Sequence, residues 1–273
     1  MSTPRPLTYV YAVAQPTAPL EAALPAVHGI GRAPVRLLTA AVGAGTVPLA
    51  FVASDVPENE FDETGLRRHF EDLHWLENVA RTHHDVVQAI AAHAPVLPLR
   101  MATVYQDDAR ARLALTAQQH VFTQRLDQLR AHTEYGVKIY LAPRASAAAP
   151  SPADTPTTAP ASPGKAYLNA RKAQHHAREA IHQQAQQAAQ AVEAIAARHT
   201  TRRVRHAPQR SALAGPQENV LNDAYLVPDG QAEQFRTAIA DAARGYPDLR
   251  IEITGPWAPY SFAMPPADAL QQP

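Results

Sequence analysis

Twenty-three consecutive residues, 142–164, limit what this chain can build. Six are Pro, eight Ala, three Ser and three Thr, and none carries a large apolar side chain. Such a stretch cannot bury enough surface to offset the entropy of ordering it, so it reads as a flexible or polyproline-type tether. It separates two halves of different texture within the 273 residues. The expected units are an N-terminal domain over 1–133 and a C-terminal domain over 134–273, the second holding both the tether and a long helix over 165–199.

Hydrophobic periodicity predicts the elements on either side. In the first half, Leu7–Val13 reads as a strand and Pro19–Leu24 as a short helix before His28-Gly29-Ile30-Gly31. Val35–Val42 and Val47–Ala53 form a hairpin through Gly43-Ala44-Gly45. Thr64–His93 spaces Leu66, Phe70, Leu73, Leu76, Ala80, Val87 and Ile90 at helical intervals. Val96–Leu99 is extended, and Asp107-Asp108 caps a helix running to His132. The order to Tyr105 is β-α-β-β-α-β, a ferredoxin-like pattern. Tyr135–Leu141, the helix 165–199, Val204–Leu213, Val220–Val227, Gln231–Arg244 and Leu249–Thr254 repeat it. The expected fold class is therefore α+β, with two ferredoxin-like units and a long Ala/Gln-rich helix in the second.

That helix carries 12 Ala and six Gln in 35 residues. Its apolar stripe, from Ala170 through Ile181, Ala185, Ala188 and Val192 to Ile195, is thin and buries little area per residue. It suits either a helix lying on its own sheet or one that binds a partner.

Charge narrows the function classes. Lys and Arg total 25, as do Asp and Glu, so the chain is neither a globally basic nucleic-acid binder nor an acidic solvating segment. The balance is uneven: residues 1–164 carry −2, residues 165–210 carry +7, and residues 211–273 carry −5. With no cysteine, disulfides, thiolate metal sites and Cys nucleophiles are excluded, which suits a cytoplasmic location. No uninterrupted run of about 18 apolar residues exists to cross a membrane. Strand-like sequence follows Met1–Pro6 directly, with no export signal expected.

Catalytic chemistry finds little support. His83-His84-Asp85 and His175-His176 are adjacent on helices, so their side chains diverge, and no His-Glu-x-x-His motif occurs. Glu71-Asp72 and Asp107-Asp108 fit helix surfaces and caps better than general acid/base work. Phosphate-cradling Gly loops and a Gly-x-Ser-x-Gly elbow are absent. No catalytic, cofactor-binding or metal residue is assigned, and the chain is not expected to be an enzyme.

Two segments remain. Arg198, Arg202, Arg203 and Arg205 form a basic cluster that offers phosphate contacts and hence a nucleic-acid-binding regulator over 198–210 as the alternative function. The stacking aromatics of an RNA-binding strand are missing, so solvated Arg at a helix end, or pairing with the acidic C-terminal segment, is favoured. Leu249–Thr254 alternates as a half-buried strand. Gly255-Pro256 is expected to break it, leaving Trp257, Tyr260 and Phe262 either as a lid over the core or as an exposed docking surface.

The segment Thr254-Gly255-Pro256-Trp257-x-Pro259-Tyr260-Ser261-Phe262 resembles the C-terminal signature of the gas vesicle synthesis protein GvpL/GvpF family, with Ala258 where that family usually has Pro. Further matches follow in order: Tyr9-Val10-Tyr11, His28-Gly29-Ile30, His84-Asp85, Leu97-Pro98-Leu99-Arg100 with Thr103-Val104-Tyr105, and Glu134-Tyr135-Gly136-Val137-Lys138. After the tether come Gly164, Tyr167-Leu168 with Arg171, and Asn222 with Ala224-Tyr225-Leu226-Val227. Met101-Ala102 stands where many members have Phe-Gly. The resemblance implies a non-enzymatic accessory protein of gas vesicle formation, associated with vesicles in the cytoplasm. Its implied partners are the shell protein GvpA and other accessory Gvp proteins. The motif residues Leu97–Arg100, Tyr167, Leu168, Asn222, Tyr225, Gly255, Pro256, Trp257, Pro259, Tyr260 and Phe262 are its candidate interaction residues.

Overall fold

A computed structural model describes residues 5–39, 48–141, 163–208 and 218–263; the tether and the Gly43–Gly45 turn lie outside these residues, as do the side chains of 163–167, 170 and 174. It is a mixed helix and antiparallel-sheet protein with two compact units, 1–134 with 256–273, and 135–255.

In the first unit, β1 (Leu7–Ala14) leads through α1 (Ala18–Ala23), whose N-cap Thr17 accepts from Leu20 N–H, to β2 (Arg36–Thr39) and β3 (Ala50–Val56). The short α2 (Glu58–Phe61) comes first, and the long helix expected over Thr64–His93 is two helices instead, α3 (Glu63–His69) and α4 (Leu73–Ala91). Two aspartates make the restarts. Asp62 accepts from Gly65 N–H at 2.6 Å, and Asp72 accepts from His74 and Trp75 N–H at 3.0 and 3.1 Å. Each cap satisfies orphan donors at a new N-terminus. The break turns Phe70 and Leu73 away from the stripe to which their spacing assigned them, leaving them 53% and 79% exposed.

Next come β4 (Val96–Pro98), β5 (Val104–Tyr105), α5 (Asp108–Ala117) and α6 (Gln119–Leu129). Asp107 caps α5 as expected, but the helix does not run to His132, because Gln118 leaves helical geometry and a strand begins at His132. The sheet order is β2-β3-β1-β4, with β5 also on β1, and every one of these pairings is antiparallel. Tyr9, Tyr11 and Val52 of the sheet pack with Val79, Val86, Val87 and Ile90 of α4 in one core. Phe51, which alternates with Val52 and so points to the other face, meets Tyr105 and Phe122. Covered on both faces, β1 is buried along nearly its whole length.

Gly29 is required by a close approach. Tyr11 Oη accepts from Ile30 N–H at 2.9 Å and pairs with Ser54 Oγ at 2.7 Å, and a Cβ on Gly29 would collide with both side chains.

The second unit contains β6 (His132–Leu141, from Tyr135), α7 (Pro163–His199), β7 (Arg202–Arg205), β8 (Asn219–Pro228), α8 (Ala232–Ala243) and β9 (Leu249–Trp257, to Gly255). Its sheet order, β7-β8-β6-β9, repeats the connectivity of the first unit. The strand expected over Val204–Leu213 is shifted to Arg202–Arg205, with 209–217 outside the described residues. β9 does not stop at Gly255-Pro256: Gly255 adopts φ 119°, open to glycine, and the strand continues to Trp257. On α7, Ile181, Ala185, Ala188, Val192, Ile195 and Ala196 join Val137, Ile139, Tyr225, Phe235 and Ile239 in one core. None of the described residues between 168 and 180 is buried, so among the described residues the stripe engages over the C-terminal half of the helix.

The basic cluster is built into this unit. Asp223 has a fully buried side chain, accepts from Arg203 Nε at 2.8 Å and lies 2.5 Å from Nη2 as an ion pair. Arg203 Nη1 reaches Glu193 at 2.6 Å, Arg205 Nη2 reaches the same carboxylate at 2.9 Å, and Tyr225 Oη donates to Asp223 at 3.2 Å. The network ties α7, β7 and β8 together. Asp223→Ala leaves the Arg203 charge without its buried partner and should cost about 3 kcal/mol in urea unfolding; an unchanged midpoint would show that the network contributes nothing.

Candidate functional site

The residues that carry the family resemblance in the first unit converge around the N-terminal strand and α4. Leu97 and Pro98 are buried on β4, and Leu99 N–H donates to Tyr11 O at 3.0 Å, holding the chain to β1. Arg100 then turns it: Thr103 N–H and Oγ1 both donate to the Arg100 carbonyl, at 3.2 and 2.6 Å. Ala102 sits at φ 62° inside that turn, and its N–H donates to Tyr9 Oη at 3.0 Å. Tyr9 Oη also pairs with His83 Nδ1, 2.9 Å away, and we assign the phenol proton to that contact. With that assignment His83 is the neutral tautomer carrying its proton on Nε2. Burial pushes its pKa down to about 4, against a smaller upward pull from the Leu99 carbonyl. Nε2 is buried without a well-formed hydrogen bond.

The C-terminal signature folds back onto this surface. Gln88 on α4 donates to Pro256 O at 3.2 Å and accepts from Ala258 N–H at 2.5 Å, as a neighbouring strand would. Glu134 accepts from Ser261 N–H at 2.8 Å and from its Oγ at 2.7 Å, and Arg125 donates to Ala263 O at 3.1 Å. Burial raises the Glu134 pKa, opposed by the two Ser261 hydrogen bonds. His84 stacks on Tyr260 with centroids 5.8 Å apart and meets Trp257 edge-on at 5.3 Å. Ala258, Pro259 and Phe262 are buried, so this part of the segment is a lid over the core, while Pro256 and Trp257 face solvent. The lid, held by Gln88, Arg125 and Glu134, groups from Pro256 with the first unit, whereas the domain boundary expected from the sequence assigns it to the second.

Between these two motifs lies a cavity of about 350 Å3, lined by Ala80, His83, His84, Pro98, Leu99, Arg100, Met101 and Tyr260. Met101 is partly exposed at this site, and Tyr260 Oη is buried without a hydrogen-bond partner. The sequence singled out Pro98, Leu99, Arg100 and Tyr260; it missed His83 and Tyr9 as a pair, because residues 74 apart meet only through the sheet.

The other candidates lie elsewhere. Tyr225 and Asn222 are on β8, where Tyr225 is core and Asn222 Nδ2 donates to Ala207 O at 3.2 Å. Leu168 is 65% exposed on α7, and the Tyr167 side chain lies outside the described residues. Of the basic cluster, Arg203 and Arg205 are engaged by Asp223 and Glu193, and Arg198 and Arg202 are exposed. Among the described residues no three His, Asp or Glu side chains are grouped to hold a metal ion, and no helix is long and apolar enough to cross a membrane.

Two expectations follow from the turn. The folded pKa of His83 lies below its ordinary value, so its contribution is present above pH 6.5 and disappears as pH falls toward 4. That amounts to about 3 kcal/mol. His83→Gln, which keeps an acceptor for Tyr9 without a titrating ring, should flatten the loss of stability over this window; the same slope in both proteins would contradict the assignment. Ala102→Gly, at a left-handed position, should raise stability by up to about 1 kcal/mol, read as a higher denaturant midpoint.

Comparison with known proteins agrees with this arrangement. Residues 7–264 match the family described as gas vesicle synthesis protein GvpL/GvpF. Gas vesicle protein L of Streptomyces sp. (strain CB03234) is 38% identical over 265 residues, 96% of this chain and 94% of that protein. The crystal structure of GvpF from Anabaena sp. PCC7120 superposes with TM-score 0.63 at 17% identity, covering 96% of this chain and 97% of its own. GvpF from Microcystis aeruginosa gives 0.61 at 17% identity, covering 94% and 99%. These two solved structures share the fold, and the family match with the Streptomyces relative fixes the lineage: the chain belongs to the GvpL/GvpF family of gas vesicle proteins.

Proposed function

We propose that this protein acts in gas vesicle formation by binding other gas vesicle proteins, the shell protein GvpA among them, while they are not yet assembled. The family match across residues 7–264 carries the role in vesicle formation. The binding reading rests on surface chemistry: the two motifs, Leu97–Arg100 and Trp257–Tyr260, meet beside a largely apolar cavity, with Met101 and Trp257 partly exposed. Exposed apolar groups grouped on one surface suit contact with a partner that itself displays apolar surface before it polymerises. The role is that of a non-enzymatic accessory protein, acting as a chaperone or as a minor component of the vesicle. Its site of action is the cytoplasm, at the vesicle.

The nucleic-acid reading draws no support from the geometry, since Arg203 and Arg205 are already committed to Glu193 and Asp223. Co-expression should keep GvpA soluble and co-purify with it, and crosslinks formed during assembly should map to the surface around Met101 and Trp257. Absence of co-purification, together with an unchanged vesicle yield on gene deletion, would overturn the reading.

A further inference from the structure

Helix α7 outruns the core that holds it. Its 37 residues, Pro163–His199, span about 55 Å. The core engages it from Ile181 onward. Toward its N-terminus the last links to the sheet are Arg178 and His182, which reach Glu218, just before β8, at 4.0 and 3.7 Å. From Arg178 the helix continues for about 22 Å. Of its described residues between 168 and 180, Ala177 is half-buried and the others are exposed. A helix draws most of its stability from a packed face, and over these residues the described chain supplies none.

One side of this half is basic. Leu168, Arg171, Lys172, His175 and Arg178 recur at intervals of three and four residues and so share a face. Arg171 and Lys172 form no ion pair among the described residues. The carboxylate on this face, Glu179, is engaged by His175 and His176 at 3.3 and 3.4 Å. Leu168 lies among the cations and is 65% exposed. The opposite side, Ala173, Ala177 and Ala180, carries no charge.

These features select the occupant. The cations require an anionic partner, and Leu168 requires an apolar side chain against it. Along the row Arg171, His175, Arg178 each step is one helical turn, about 5–6 Å, and carboxylates on a second helix repeat at the same interval. Two helices also pack along their length, ridges into grooves. A nucleic-acid backbone answers neither Leu168 nor Glu179. A lipid surface needs a row of large apolar side chains, where the described residues between 168 and 180 supply Leu168 alone.

We infer that the basic face of α7 over Leu168–Arg178 docks an acidic amphipathic helix of a partner protein, with carboxylates on Arg171, Lys172 and Arg178 and an apolar side chain on Leu168. This deepens the partner-binding reading and rests on it only for the partner being a gas vesicle protein. The surface is separate from the one around Met101 and Trp257, and its chemistry is testable alone.

The test uses the full chain and, as probe, a dye-labelled synthetic peptide of three Glu-Ala-Leu-Glu-Ala-Leu-Glu heptads, read by fluorescence anisotropy. Saturable binding is expected at low salt, weakening as salt rises, and amide exchange over residues 168–180 should slow on binding. Arg171→Gln with Lys172→Gln should weaken binding at least tenfold, and Leu168→Ala about threefold, with the melting temperature unchanged because these side chains are exposed. Arg198→Glu changes the net charge by the same amount at the other end of α7 and should leave binding within about twofold. The same peptide with every Glu replaced by Gln should not bind. No saturable binding, unchanged exchange over 168–180, an equal loss with Arg198→Glu, or equal binding of the Gln peptide would each overturn the assignment. So would tighter binding of duplex DNA or of phosphatidylserine vesicles at the same salt. If the peptide fails while GvpA co-purifies, the docking face falls and the partner reading stands; if the peptide binds while co-purification fails, the reverse holds.

Discussion

The hydroxyl of Tyr9 organises the first unit. It sits on a strand buried on both faces, where a polar group is tolerated only when its hydrogen bonds are met. It meets them by accepting from Ala102 N–H and donating to His83 Nδ1, so one oxygen joins β1, the turn after β4 and helix α4. The tautomer of His83, the path of the Arg100–Thr103 turn and the position of the cavity wall all follow from that commitment. A neutral histidine is the form this environment allows, since burial works against the charged ring.

The same economy governs the polar groups that hold the periphery. Gln88 satisfies the backbone of the lid as a strand would, and Glu134 fastens Ser261 through two hydrogen bonds despite the burial that raises its pKa. In the second unit, buried Asp223 is compensated by Arg203 and by the hydroxyl of Tyr225, and Glu193 gathers Arg203 and Arg205. What looks in the sequence like a patch for phosphates is, in two of its four arginines, internal neutralisation. The segregated charge of the chain is therefore partly a structural device: Asp223, from the acidic C-terminal segment, answers the basic cluster across the β7–β8 ladder.

Elements with strong local signals were legible. β1, β8, α1 and α8 appear close to where alternation, helical spacing and caps place them. The stripe of α7 is also recovered, but only from Ile181 onward. Misreadings arose where apolar spacing continued across a cap. Phe70 and Leu73 keep helical intervals with Leu66, yet Asp72 starts a new helix between Phe70 and Leu73, so periodicity alone joined what capping separates. Gly255-Pro256 misled in the opposite direction, since a glycine at φ 119° lets the strand pass through a dipeptide that usually ends one. At the site, the motif residues Pro98–Arg100 and Tyr260 were identifiable from the resemblance. His83 was visible only as half of an adjacent pair, because nothing local marks which histidine turns inward.

Sequence alone determined the α+β class, the lack of cysteine chemistry and the family resemblance carried by ordered motifs. These are properties of local composition and spacing, for which no distant contact is needed. Tertiary structure decided which polar groups are answered and which are not. It brought Tyr9 to His83, Gln88 to Pro256 and Asp223 to Arg203, and it left Tyr260 Oη and His83 Nε2 without bonded partners beside an apolar cavity. Those outcomes depend on burial and on partners far apart in the chain, and desolvation, which sets their energy, exists only once the chain has closed around them.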